Sequence, residues 1–197
     1  MRRPHVDVDL RPYFLTEAGG HHAKELIVLH ETVSHDKPGL ADITSPAAFL
    51  DASGLEVHGI IDREAHSGWC YDRRAIYDHA ASGAGLVNTR SVGFEQVSDV
   101  PFLPTRAERI EAWNPEGDRR KQLNKVAEWC AWLHGAEGIP LAYSDGRKPG
   151  ITSHWSVSQT FLGGDGHWDC WPKHLGGHYP ILYVINRARQ LVESVGL

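Results

Sequence analysis

The chain has 197 residues, enough for one domain or one domain with a short appendage, and its 41% hydrophobic content supports a real core rather than disorder. Its formal net charge is −5 and no long run of Lys or Arg appears, which argues against binding driven by nucleic-acid phosphates. Three cysteines, Cys70, Cys130 and Cys170, are too few and too scattered for a disulfide framework, so reducing surroundings are the simpler reading.

The opening stretch, "MRRPHVDVDLRPYFL", has two arginines but lacks the apolar core of a signal peptide, and no segment reaches the apolar length of a membrane span. The expectation is synthesis in the cytoplasm without membrane insertion. "KELIVLHET" at 24–32 reads as a buried strand, an apolar run ending in polar groups. "SPAAFLDAS" at 45–53 carries Ser before Pro, a helix-start signal. "LEVHGIID" at 55–62 alternates as a second strand, and "SGWCYDRRAI" at 67–76 offers a third. "SVGFEQVS" at 91–98 sets Val92, Phe94 and Gln96 against Ser91, Gly93, Glu95 and Val97, the pattern of a central strand.

Apolar residues at helical spacing between Asp118 and Gly135 predict a long amphipathic helix. "GITSHWSVSQ" reads as a short strand and a loop carrying His154, and a last helix starts after Pro180. Strands and helices mix within one unit, so the expected fold is α/β: a central mixed sheet flanked by helices in one domain spanning 1–197, with its core at about 24–185.

Thirteen histidines without a poly-His tract raise a metal hypothesis, against the ordinary alternative of surface and capping roles. His30 closes an apolar strand, where a ligand can face a cleft while its backbone stays pinned; a loop carbonyl would satisfy it equally well. His154 repeats that arrangement far away in the chain. A catalytic zinc needs three protein ligands and an open fourth position. The third can come from "GDGHWDCWPKH" at 164–174, through Asp169 or Cys170, or that stretch is an aromatic packing loop. Glu95 sits on a strand whose neighbours are apolar or small, a costly place for a carboxylate unless it is paired or placed for proton transfer.

The order and wording of these segments resemble the zinc-dependent N-acetylmuramoyl-L-alanine amidases of the amidase-2 and peptidoglycan-recognition family. The resemblance rests on "LHET", "VHGIIDREA", the "HA" pair in "YDHAASGAG", "NTRSVGFE", the long helix, a Ser-His pair and the terminal "HWDC". It implies that His30 and His154 hold one Zn2+ per chain, that Glu95 activates water, and that His79 lines the substrate groove. It implies that Thr32 orients His30 and that His58 packs behind the metal site. Trp69, Tyr71, Tyr77 and Trp155 are candidates for stacking on sugars.

The family's Pro-Gly after the third ligand is replaced here by Cys-Trp-Pro, which leaves two registers. Matching "HWD" makes Asp169 the ligand and puts His167 in place to polarise the amide carbonyl. Matching "WDC" makes Cys170 the ligand and leaves Trp168 there, which donates only through its indole N–H. The first register is favoured because it keeps an electrophile. The implied activity is hydrolysis of the amide between N-acetylmuramic acid and L-alanine in bacterial peptidoglycan. A monomeric phage endolysin released through a holin is the leading form, with no separate wall-binding domain evident. The alternatives are a non-catalytic peptidoglycan-binding module and a cytoplasmic muropeptide-recycling amidase. An unrelated structural-zinc or thiol protein is disfavoured, because no Cys-x-x-Cys pair exists.

Overall fold

A computed structural model describes residues 1–14, 22–35, 37, 39–74, 76–77, 79–80, 85–164 and 166–196. Six strands form one sheet in the order β1-β4-β3-β5-β2-β6. They are β1 (Val8–Asp9), β2 (Leu26–Glu31), β3 (Gly59–Ile61), β4 (Ser67–Trp69), β5 (Ser91–Gln96) and β6 (Gly150–Ser153). Among the described residues only the β3–β4 pair is antiparallel. The helices are α1 (Ala41–Ala52), α2 (Gly85–Arg90), α3 (Arg106–Ala112), α4 (Arg120–Glu137), α5 (His154–Phe161) and α6 (Ile181–Ser194). No helix among the described residues is long and apolar enough to cross a membrane.

All six residues of β2 and of β5 are buried, as expected of parallel strands covered on both faces. Side chains alternate across a strand, so each strand feeds two layers. Ile27 and Leu29 of β2, with Val92 and Phe94 of β5, join the large core under α4 and α6, where Trp69, Trp113 and Trp129 are also buried. Leu26 and Val28 pack on the opposite face with Ala80, Val87 and Val157. The same parity carries His30 to that second face. In the parallel register His30 lies directly beside Glu95, and Leu29 beside Ser153, the residue before His154. Three carboxyl-terminal strand ends therefore deliver the predicted residues to one edge, where open parallel sheets ordinarily bind ligands.

Several boundaries differ from the sequence reading. Helix α1 begins at Ala41 rather than at Ser45, because the buried stripe Ile43, Pro46, Ala47 and Leu50 already starts a turn earlier. Helix α4 passes through Gly135 and stops at Gly138, whose φ of 75° supplies the left-handed cap. The strand expected over 55–62 is ordered as strand only at Gly59–Ile61, and the one over 67–76 only at Ser67–Trp69. His154 lies in no loop. It opens α5, whose N-cap Ser153 accepts the Ser156 N–H. Parts of the predicted groove segment, residues 75, 78 and 81–84, fall outside the described residues.

Candidate active site

His30, His154 and Asp169 converge at the edge of the sheet, with ligand atoms all within 4.8 Å of one another. Asp169 Oδ2 is 3.1 Å from His154 Nδ1 and 3.6 Å from His30 Nδ1. Two atoms each bonded to a tetrahedral zinc lie about 3.3 Å apart, so the observed spacing suits that ion. Two neutral imidazoles and a carboxylate are also a donor set proper to zinc. Burial lowers the His30 pKa to about 4, which keeps the ring neutral as a ligand must be. Burial opposes ionisation of Asp169, but the neighbouring His154 and His30 outweigh it and hold the carboxyl well below its usual range.

Asp169 reaches the cluster on a loop that curls back through Gly163, Gly164 and Gly166, with φ of 67°, 78° and 93°. Its neighbour Cys170 has φ of 51° and turns its thiol into the core, where the sulfur accepts from Gln96 Nε2 at 3.4 Å. Burial pushes that thiol far above its ordinary pKa, so it stays protonated. Of the two registers, the structure places Asp169 in the cluster and Cys170 outside it.

Glu95 stands across the β2–β5 ladder from His30. Its Oε2 atom is buried and has no hydrogen-bond partner among the described residues. Burial, then the charges of Asp169 and Glu31, raises its pKa well above the ordinary value. An orphaned carboxylate oxygen at a cleft costs stability unless a water, a cation or a substrate meets it. His167 is exposed over the site, its ring 4.1 Å from that of His154. Both open onto a cleft of about 720 Å³ with Val33, Phe49, Leu55 and Trp168 on its apolar walls.

Other expected residues have different places. His79 does not line the cleft; its ring is buried behind His30, with Nδ1 3.1 Å from His30 Nε2. Trp69 is wholly buried, stacked on Trp129 at 4.6 Å, and Tyr77 is buried against His58, so neither can stack on a sugar. Tyr71 lines a separate hollow with Arg2, Arg3 and Trp132. Trp155 stacks on Trp171 at 5.4 Å rather than facing the cleft. The Thr32 hydroxyl accepts the Ser98 N–H and meets Ser34, so it does not orient His30. His58 lies one ring further back, accepting the Gly93 N–H on Nδ1.

One residue of consequence is absent from the sequence reading. Glu31 is a buried carboxylate that accepts from Trp113 Nε1 at 2.8 Å, Ser98 Oγ at 2.7 Å and His178 Nε2 at 2.9 Å. The Cys170 N–H reaches it at 3.5 Å. It thereby ties the end of β2 to the loop that presents Asp169. An acidic residue closing an apolar strand was the available signal, the same one that singles out Glu95.

A family model described as N-acetylmuramoyl-L-alanine amidase matches residues 21–172. The fold is similar to that of the hydrolase AmiA of Staphylococcus aureus, solved with its ligand: TM-score 0.63, 15% identity, covering 100% of this chain and 88% of that one. It is also similar to the endolysin LysCS of Clostridium intestinale, with TM-score 0.55, 15% identity and coverage of 95% and 97%. A mutant endolysin from Bacillus subtilis gives TM-score 0.57 at 18% identity, covering 87% and 90%. At these identities the likeness is one of fold. No curated protein matches the chain in sequence at a significant level. The matched segment runs from before β2 to beyond Cys170, takes in His30, Glu95, His154 and Asp169, and shows that the chain belongs to the N-acetylmuramoyl-L-alanine amidase family.

Proposed function

We propose that this chain hydrolyses the amide joining the lactyl group of N-acetylmuramic acid to L-alanine in bacterial peptidoglycan, with one zinc ion held by His30, His154 and Asp169. The observation that carries this reading is the unpartnered Glu95 oxygen, buried beside a three-ligand cluster at the floor of a cleft. When bound, zinc supplies a Lewis acid that lowers the pKa of water toward about 7 and polarises a carbonyl.

Glu95 takes the proton of the attacking water and passes it to the departing alanine nitrogen, so that one water yields a carboxylic acid and a free amine. His167, exposed on the cleft wall beside His154, donates an N–H to the carbonyl oxygen as it gains negative charge. Val33, Phe49 and Leu55 give the cleft apolar walls against which the uncharged parts of the substrate pack. The endolysins among proteins of similar fold favour a role in wall lysis over muropeptide recycling.

The test is Glu95→Gln, assayed on purified sacculi by release of new amine ends. Turnover is expected to drop by roughly a thousandfold while zinc stays near one per chain. Loss of the metal in that variant would instead make Glu95 part of the metal site, and undiminished turnover would remove it from the reaction.

A further inference from the structure

Behind His30 runs a line of polar groups whose hydrogen-bond directions are forced. The Ser91 hydroxyl meets the Val87 carbonyl at 2.6 Å, and a carbonyl can only accept, so the hydroxyl proton is committed there. Ser91 Oγ also lies 2.9 Å from His79 Nε2 and has only lone pairs left to offer, so His79 carries a proton on Nε2. The His79 ring is buried, with Ser91 and His30 as its hydrogen-bond partners and no carboxylate or carbonyl among the described residues to take a second ring proton, so Nδ1 is left as an acceptor. That acceptor faces His30 Nε2 at 3.1 Å, so His30 is the donor. The remaining nitrogen of His30, Nδ1, then points its lone pair at the position between Asp169 and His154.

The surroundings are built for this line. A Cβ at Gly93 would sit 2.5 Å from the His79 ring, so only glycine at that position on β5 admits the imidazole. The segment after His79 is clamped to α2, with the Ala80 N–H donating to Asn88 Oδ1 and Asn88 Nδ2 donating to the Ala80 carbonyl. Ser91, Gly93 and Glu95 are alternate residues on one face of β5. That face commits the Ser91 proton, makes room for the His79 ring and presents the carboxylate.

We propose that Ser91 and His79 are positioning residues that fix His30 in its Nε2–H tautomer and so present Nδ1 as the metal-binding atom. This inference rests on the metal reading above. A metal-ligating histidine is commonly held through its other nitrogen, and loss of such a partner typically weakens metal binding by about 10–100-fold.

The test has a metal-free and a metal-binding arm. In metal-free protein labelled with 15N-histidine, the ring-nitrogen spectrum is expected to show His30 and His79 both protonated on Nε2. Zinc affinity, measured by competition with a chelator, is expected to fall by about 10–100-fold in His79→Leu. His79→Asn, whose side-chain oxygen occupies the place of Nδ1, should recover most of that loss. Ser91→Ala, which removes one oxygen, should let His79 adopt both tautomers and weaken zinc binding less than His79→Leu does; it carries the comparison if the leucine variant fails to fold. Four results would overturn the proposal. They are His30 protonated on Nδ1 in the metal-free wild type, His79→Leu binding zinc as tightly as wild type, His79→Asn binding as weakly as His79→Leu, or, should the leucine variant not fold, Ser91→Ala matching wild type. A wild type that takes up no zinc would instead overturn the metal reading and this consequence together.

Discussion

Strands β2 and β5 present two faces made by the same twelve residues, and the faces serve different ends. Toward α4 and α6, Ile27, Leu29, Val92 and Phe94 are fully buried in a continuous apolar core. Toward the other side, His30, Ser91, Gly93 and Glu95 carry ring nitrogens, a hydroxyl, open space for a ring and a carboxylate. The difference teaches how one strand pair can be rigid and reactive at once. Apolar packing on one face anchors the backbone, and alternation sets His30, Ser91, Gly93 and Glu95 at fixed spacing on the other, beyond the apolar Leu26 and Val28.

Breaking the apolar face should have the largest effect on stability. Phe94 stacks on Trp69 at 5.7 Å and meets Trp129 at the same distance with its ring tilted, and Phe94→Ala is expected to cost about 3–5 kcal/mol in denaturant unfolding. If the two faces are independent, the fraction still folded will bind zinc as wild type does. Loss of zinc from folded protein would show that the apolar face sets the site geometry directly.

Glu31 sits where the comparison is sharpest, because it closes β2 yet braces the Asp169 loop. In Glu31→Gln the amide nitrogen must face a donor, Ser98, Trp113, His178 or Cys170, leaving at least one unsatisfied. A loss of about 1–3 kcal/mol is expected, with weaker zinc binding read by chelator competition. Full zinc affinity in a destabilised variant would confine Glu31 to a role in folding.

The mildest probe of the polar face is pH. Burial lowers the His30 pKa from the ordinary 6.5 to about 4 in the folded chain, so between those values the unfolded chain binds more protons. The metal-free protein should therefore lose stability as pH falls through that window and regain it above 6.5. His30→Asn, which has no such proton to gain, should show a flatter stability profile over the same range in thermal unfolding.

Much of this site is legible in the sequence because its members close apolar strands. His30 at the end of "LIVLH" and Glu95 within "SVGFE" are polar groups where burial is otherwise expected, and period-2 alternation turns each side chain to a face. The mixed α/β architecture follows from the same patterning. Other features depend on distances that no local pattern contains. Trp69 and Tyr71 are two residues apart and equally aromatic, yet β4 buries the first completely and leaves the second 41% exposed. His79 reads as a groove residue until the space above Gly93 is known. The sequence favours Asp169 over Cys170 only through the electrophile at His167; that the Cys170 thiol turns into the core, at a φ of 51°, no residue type announces.

That choice also gives the most direct test of the central claim. Zinc content of Asp169→Ala and Cys170→Ala, measured side by side on folded protein, separates the two ligand sets. The account predicts that Cys170→Ala keeps about one zinc per chain and that Asp169→Ala loses it. Zinc retained by Asp169→Ala and lost from Cys170→Ala would contradict it.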